Sequence, residues 1–397
     1  MNFSADVIIA GGGPAGSSAA YYLSRKGVSV LVLEKETFPR YKSCGGGLTY
    51  KTTRNLPFDI SPVIEKEIHD MTFSVRFKEE FTKRSEDLLI TTVMRDHFDS
   101  YLLEKAVMEG AEVKYGVKVI SGINESSYVR VHTNSGDFIS RVLIGADGAN
   151  SITSSMAGLS MRNMYTGFAI EYELEVSPAI MDQLSGSIHL DWGTFPSGYA
   201  WIFPKKNHIS VGVGCHQSLA PYLKKYYSKF VTYKGIESSR VISVKGHPLP
   251  SGNIGNIISS GSVILAGDAA GLVDPLAGEG LYYALSSGRL AGEHSFEYID
   301  GRVSDMSGYQ QSINKELMPE LMEAKSLLRY FNAFPLSVHH YIKDGRNGWK
   351  NFCKVLKGEL PYHKLPYKLG KYQCLWKPGS RIAQMIAYGK MKTFRMR

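Results

Sequence analysis

Near the start of the chain, Ala5-Asp-Val-Ile-Ile-Ala-Gly11-Gly-Gly13-Pro-Ala15-Gly16 runs on into Ser-Ser-Ala-Ala-Tyr-Tyr-Leu23. The order is that of a buried strand, a glycine turn and the first turns of a helix. Gly11, Gly13 and Gly16 have the G-x-G-x-x-G spacing. The first glycine permits the turn, the second lets a pyrophosphate approach the backbone, and the third lets helix pack on strand. Phosphates held there face the helix N-terminus, where free N–H groups and the dipole favour negative charge. A second strand, Val28 to Leu33, ends on Glu34. That acid stands about 20 residues downstream, where a carboxylate holds a ribose hydroxyl pair. An acid there suits a ribose without a 2′-phosphate. The glycine spacing alone is also that of an ordinary βα turn. Strand, helix and acid together make dinucleotide binding the expectation.

A chain of 397 residues is too long for one small core, and roughly two or three interleaved domains are expected. No apolar run is long enough to span a bilayer, and the N-terminus lacks the basic flank and cleavage site of a secretory signal. Cys44, Cys215, Cys353 and Cys374 form no C-x-x-C pair, which argues against a disulfide framework or a zinc site. His97, His189, His208 and the His339-His340 pair make no ligand spacing with one another or with the cysteines. No metal is expected, and a reducing cytoplasm fits best. The net charge is +9, and nine Lys and Arg with no acid lie between Pro361 and Arg397. Leu375, Trp376, Ile382 and Ile386 are interleaved with them. Such a tail suits contact with a membrane surface better than a nucleic-acid groove, so no nucleic acid is expected. A solvated end of a helical layer is the alternative.

Past Glu34, Phe38-Pro-Arg40-Tyr-Lys42-Ser-Cys44-Gly-Gly-Gly47-Leu48 is a glycine-rich loop that reads as no regular element. Strand-like pieces follow at Met71–Phe77 and Leu88–Val93, and Arg95–Met108 reads as an amphipathic helix. Short strands are expected around Glu112–Val119, Tyr128–Thr133 and Phe138–Val142. Leu143-Ile-Gly-Ala-Asp147-Gly148 and Val263-Ile-Leu-Ala-Gly267-Asp268 are two further strand-then-turn stretches. Between them, 163–244 alternates and is aromatic-rich, as an antiparallel sheet would be. Gly278-Glu-Gly280 opens a helix through about Glu297, and the chain from about 305 reads as helical and basic.

Three glycine turns in this order, with Arg95-x-x-Phe98-Asp99-x-x-Leu102 between them, resemble the FAD-binding framework of the flavin hydroxylase and geranylgeranyl reductase superfamily. The resemblance implies FAD rather than NAD in the first turn. It implies Asp268 on the ribityl chain, Arg95 on the cofactor, and Asp147 and Gly148 shaping the turn near the pyrophosphate. Ala15 within the first turn, Lys35 beside Glu34, Cys44, Gly278 and Gly280 are the remaining candidate cofactor-binding positions. Two stretches narrow the likeness. The Lys42-x-Cys44-Gly-Gly-Gly47-Leu48 run is similar to a K-P-C-G-G-G-L signature, with Ser43 where proline is commoner. Tyr199-x-Trp201-x-Phe203-Pro204-Lys205 is similar to the Y-x-W-x-F-P-K signature of the geranylgeranyl reductases. Members of that family hydrogenate isolated double bonds of geranylgeranyl groups on lipids or pigments.

Tyr199, Trp201 and Phe203 alternate at period two, so all three face one side of a strand. They are the candidate substrate-binding wall, or simply sheet core. Each CH₂ buried there contributes about 0.8 kcal/mol, so a long polyprenyl chain needs no charged anchor. The free amides of the helix opened by Gly278 and Gly280 suit the flavin edge where charge accumulates on reduction. Cys44 is a lone thiol in a loop opened by Gly45, Gly46 and Gly47. These are the candidate catalytic positions Cys44, Gly45 and Gly46, with the thiol near the flavin to position substrate or relay a proton. Packing alone is the alternative for Cys44.

The expected fold is α/β. A Rossmann-like, discontinuous FAD-binding domain takes 1–55, 95–160 and 250–300. An inserted antiparallel-sheet substrate domain takes 56–94 and 161–249, and a helical basic region takes 301–397. The expected activity is FAD-dependent saturation of isolated C=C bonds in polyprenyl lipids or isoprenoids. A second G-x-G-x-x-G unit is absent from the sequence, so electrons come from an external donor: ferredoxin, NAD(P)H or a deazaflavin-linked system. The competing readings are a flavin monooxygenase or halogenase, and a membrane-docked flavoprotein passing electrons to quinone. The expected location is cytoplasmic, with peripheral attachment to membrane through the tail.

Overall fold

The computed structural model describes residues 3–125, 128–158, 165–251, 255 and 257–365. The basic stretch from Lys368 to Arg397, with Cys374, lies outside the described residues. Two compact units emerge, each assembled from separated segments: Met1–Lys42, Arg95–Thr166 and Leu249–Leu321 in the first, and Ser43–Met94, Gly167–Pro248 and Met322–Arg397 in the second.

The first unit is built on a six-stranded sheet, beside a three-stranded one of Gly136–Ser140, Val129–Thr133 and Val119–Asn124. The strands of the larger sheet lie in the order Ser259–Ser260, Val263–Leu265, Val142–Gly145, Val7–Ala10, Val30–Glu34 and Glu112–Tyr115. All neighbours are parallel except the first pair. Val7, Ile8 and Ile9 are fully buried, as continuous apolar strands of a parallel sheet covered on both faces must be. The register pairs Ala10 with Gly145 and Leu33, and Gly145 with Leu265. Three adjacent strands therefore end level, and their turns share one carboxyl edge, the place where open α/β sheets bind ligands. The Pro14–Ser24 helix packs closely on the Leu281–Ile299 helix. A Cβ on Gly288 would collide with the Ala15 carbonyl, and one on Gly292 would lie 3.0 Å from that of Ala19.

The second unit carries a seven-stranded sheet ordered Arg240–Pro250, Tyr165–Glu175, Ile209–His216, Tyr199–Pro204, Ser187–Trp192, Asp70–Val75 and Lys78–Arg84. The recorded pairs are antiparallel except Ser187–Trp192 with Asp70–Val75, which run parallel. The Leu223–Lys234 helix lays Leu223, Tyr226, Phe230 and Val231 on one face of this sheet. On the Asp70–Lys83 side, Phe73 and Trp192 meet Ile342, Trp349 and Phe352 from the Pro335–Asp344 and Gly348–Leu356 helices. A smaller sheet joins Gly47–Thr49, Ile90–Val93 and Ile64–Ile68.

Three elements differ from the sequence reading. The strand expected through Phe77 ends at Val75, because Arg76 and Phe77 take left-handed φ values of 55° and 58° to turn the hairpin. Lys78–Arg84 is a strand although its sequence, KEEFTKR, carries no apolar alternation, since it is the exposed sheet edge. The glycine loop closes into a short strand at Gly47, which pairs with Thr92. No helix among the described residues is long and apolar enough to cross a membrane.

Candidate functional site

In the first unit the Pro14–Ser24 helix begins at Gly13, with Pro14 at its first position and no side-chain cap or acid in its first turn. Its leading amides and dipole are left for an anion. Gly11, with φ of 98°, lies so near the next strand that a Cβ would sit 2.5 Å from the Ala146 carbonyl oxygen. A Cβ on Gly16 would overlap the Gly11 carbonyl outright. Ala15 is buried and packs against the turn at Gly267, where a Cβ would lie 3.0 Å from its own.

Glu34 is buried at the end of its strand. One carboxylate oxygen accepts from the Gly12 amide at 2.7 Å and the other from the Glu36 amide at 2.9 Å. A carboxylate has about four acceptor positions, so acceptor capacity remains for hydroxyl groups. Lys35 beside it is exposed. Asp147 is a clamp: its oxygens accept from the Ile152 and Thr153 amides and from the Ser151 and Thr153 hydroxyls, at 2.6–3.1 Å. Gly148 follows it with φ of 79°. Asp268 sits in the turn Gly267–Ala270, and a Cβ on Gly280 would lie 3.4 Å from its Oδ1. Gly278, at φ of 64°, and Gly280 lead into the Leu281–Ile299 helix, which also lacks a side-chain cap.

The first unit also brings in a residue that sequence reasoning quoted without a role. Arg40 Nη2 is 3.1 Å from Asp99 Oδ2, while Arg95 grips the same carboxylate at 2.7 and 2.8 Å. Asp99 is fully buried and Arg95 nearly so. Two guanidinium groups against one carboxylate leave a net positive charge. The Arg40 guanidinium lies 3.5 Å from where a Cβ on Gly13 would be, and its buried Nη1 has no hydrogen-bond partner among the described residues. A buried unpaired donor on a cation is costly. An uncapped helix end, a glycine cradle and this donor suit a nucleotide diphosphate. The signal in the sequence was the arginine itself, six residues after Glu34; its partner Asp99 is too distant to infer.

The second unit holds the thiol and the aromatic residues. Tyr199 and Trp201 lie 5.4 Å apart between ring centroids. Trp201 is buried, and its ring occupies the space above Gly212, where a Cβ would strike it. Phe203 likewise lies over Gly45 and Gly47. A Cβ on Gly45 would meet Phe203 at 3.0 Å and Trp201 Nε1 at 3.2 Å. The three aromatic residues, Gly212 and the cysteine loop thus form one packed surface. Cys44 is part-exposed, and its sulfur accepts from the Gly46 amide at 3.4 Å.

Beneath the loop lies Lys205, fully buried, donating to the Gly45 carbonyl at 2.7 Å and to the Val93 carbonyl at 2.9 Å. Burial pulls its pKa below that of an ordinary lysine, against the carboxylates of Glu173, Glu171 and Glu65 and the Cys44 sulfur, which push it up. Glu173 is buried and accepts from the Ser210 hydroxyl at 2.5 Å, with His208 Nε2 at 3.1 Å.

Comparison with known proteins agrees with both halves. A family described as an FAD binding domain matches residues 4–187, and the geranylgeranyl reductase catalytic domain matches residues 168–247. The chain is 34% identical to an uncharacterized protein of Methanosarcina barkeri over 84% of its own length and 85% of that protein. It is 31% identical to digeranylgeranylglycerophospholipid reductase 1 of Methanopyrus kandleri, over 78% of this chain and 86% of that one. A solved geranylgeranyl bacteriochlorophyll reductase-like protein of Thermoplasma acidophilum superposes with a TM-score of 0.72 at 25% identity, covering 82% and 87% of the two chains. With an FAD-type sheet, a matching catalytic domain and relatives of this identity and coverage, the chain belongs to the geranylgeranyl reductase family of FAD-dependent oxidoreductases.

Proposed function

We propose that this protein saturates isolated C=C bonds of geranylgeranyl groups carried on lipid or isoprenoid substrates, with electrons from an external donor. The observation that carries the reading is the aromatic surface of Tyr199, Trp201 and Phe203, which lies inside the segment matched by the reductase catalytic domain and packs around the Cys44 loop. It supplies apolar area at about 25 cal/mol per Å², which suits a hydrocarbon chain. The reductase named for a digeranylgeranyl lipid supports the same substrate class.

Bound and reduced, FAD supplies a hydride. The chain's own residues have three tasks. Gly11, Gly13, Gly16 and Arg40 hold the diphosphate, with Arg95 positioned through Asp99. Glu34 would accept from the ribose, and Asp268, Gly278 and Gly280 would hold the flavin end. Tyr199, Trp201 and Phe203 hold the prenyl chain and exclude water. Cys44 gives its thiol proton to one alkene carbon, since an unactivated alkene needs a proton at one carbon for a hydride to add at the other. Reduced, FAD-loaded protein kept free of oxygen is expected to reoxidise on addition of a geranylgeranyl lipid, with hydrogen gained at each reduced bond. Reoxidation only on admitting oxygen, with an oxygenated product, would favour the monooxygenase instead.

A further inference from the structure

We propose that Lys205 is the positioning residue for Cys44: its buried side chain ties the glycine loop to the neighbouring strand and sets its amino group against the backbone that carries the thiol. The inference rests on the reading of Cys44 as proton donor. Its geometry is independent of that reading.

The loop's glycines have no side chains with which to anchor it. Gly45, Gly46 and Gly47 lose more conformational freedom on folding than any other residues would, and Gly46 stands at φ of 64°. The loop meets the Ile90–Val93 strand through the Gly46 carbonyl, which accepts from the Val93 amide at 2.8 Å, and through Gly47. Lys205 closes the other side, joining the carbonyls of Gly45 and Val93 with one ammonium. A Cβ on Gly46 would lie 2.9 Å from its Nζ, so the loop sits directly on the charge. A lysine without exposure is rare unless paired; here its hydrogen-bond partners are two carbonyls, and the carboxylates of Glu173, Glu171 and Glu65 act on it through charge alone.

The chemistry follows from charge. When the Cys44 S–H bond breaks, the proton moves to a substrate carbon and the electron pair stays on sulfur. Reduced flavin, when bound, would supply the hydride for the adjacent carbon, and solvent returns the proton to sulfur. An ammonium beneath the loop stabilises the thiolate left behind and so eases the transfer. The groups facing Lys205 are Glu173, Glu171, Glu65 and Cys44, with His208 on the far side of Glu173. Burial lowers the Lys205 pKa, and the three carboxylates oppose that lowering.

The test is alkylation of Cys44 by iodoacetamide in the FAD-loaded protein across pH, read by peptide mass. Peptide mass separates Cys44 from Cys374 and from Cys215 and Cys353, whose thiols burial pushes up to about 12 and about 11. In Lys205→Met the pH–rate curve of alkylation lies at higher pH than that of the parent, whatever the change in loop access to reagent. Lys205→Arg moves it less. An unchanged midpoint in a folded Lys205→Met protein overturns the proposal. If that variant fails to fold, the reciprocal experiment decides: the Lys205 ¹⁵Nζ resonance titrates at lower pH in Cys44→Ser than in the parent, and identical titrations overturn the coupling. A Cys44→Ser enzyme with undiminished turnover would instead overturn the donor reading, separately from the alkylation result.

Discussion

The Trp201 indole occupies the space that a side chain on Gly212 would fill, one strand away in the register that pairs the two residues. Only a bare backbone lets the ring lie flat on the sheet there. Gly212→Ala therefore forces the ring out of its place in the aromatic surface. Overpacking of this kind costs about 1–3 kcal/mol. The expected result is a lower thermal midpoint and an altered near-ultraviolet circular dichroism signal, with a raised KM for a prenyl substrate. An unchanged KM in this variant would separate Trp201 from substrate binding.

Arg40 and Asp99 make a second testable pair. Removing the Arg40 charge leaves Asp99 paired with Arg95, so the fold survives while the cationic cluster beside Gly13 loses its excess charge. Arg40→Met is expected to weaken FAD retention by about tenfold or more, the scale of a charge-assisted hydrogen bond. Flavin absorbance after gel filtration at low protein concentration reads this directly. Full retention of FAD would show that Arg40 serves the fold alone.

Two buried groups in the second unit give stability a pH dependence of opposite sign. Burial, with Lys234 beside it, lowers the His189 pKa from 6.5 to about 3. Lys234 can only donate, so His189 Nδ1 accepts from it at 3.1 Å and Nε2 carries the proton toward Ser187. The lowered value means that stability present above pH 6.5 is lost as pH falls toward 3, at most about 5 kcal/mol. Burial raises the Asp191 pKa from 3.8 to about 6, against hydrogen bonds from the Phe77 amide, Ser74, Tyr226 and Thr194. Its contribution is present below pH 4 and lost as pH rises through 6, at most about 3 kcal/mol.

Asp191→Asn should therefore gain stability relative to the parent between pH 4 and 6 and then level off. His189→Gln should gain relative to the parent as pH falls below 6.5. Urea unfolding at a series of pH values measures both differences. Flat differences across these windows would contradict the assignments.

The nucleotide-binding half of the molecule was legible because its signals are local. Gly11, Gly13 and Gly16 stand within one turn, and Glu34 ends the adjacent strand in the register that brings it to the Gly12 amide. What stayed hidden depends on partners far apart in the chain. Arg40 acquires its role through Asp99, and Lys205 through a carbonyl 112 residues earlier. Neither relation leaves a periodic trace. The Lys78–Arg84 strand was invisible for another reason: an exposed sheet edge needs no apolar face, and its charges keep that edge from pairing further. The period-two placement of Tyr199, Trp201 and Phe203 was plain, but the glycines that receive the rings lie on another strand and another loop.

The central claim is reduction of an unactivated double bond, and one anaerobic experiment tests it most directly. The FAD-loaded protein is reduced with dithionite, freed of excess reductant and given a geranylgeranyl lipid. Flavin absorbance near 450 nm is followed together with the product mass. The expected result is reoxidation on adding the lipid, a mass gain of two hydrogens for each bond reduced, and a large loss of that rate in Cys44→Ser with FAD content intact. Flavin that stays reduced with every prenyl lipid until oxygen enters would contradict it.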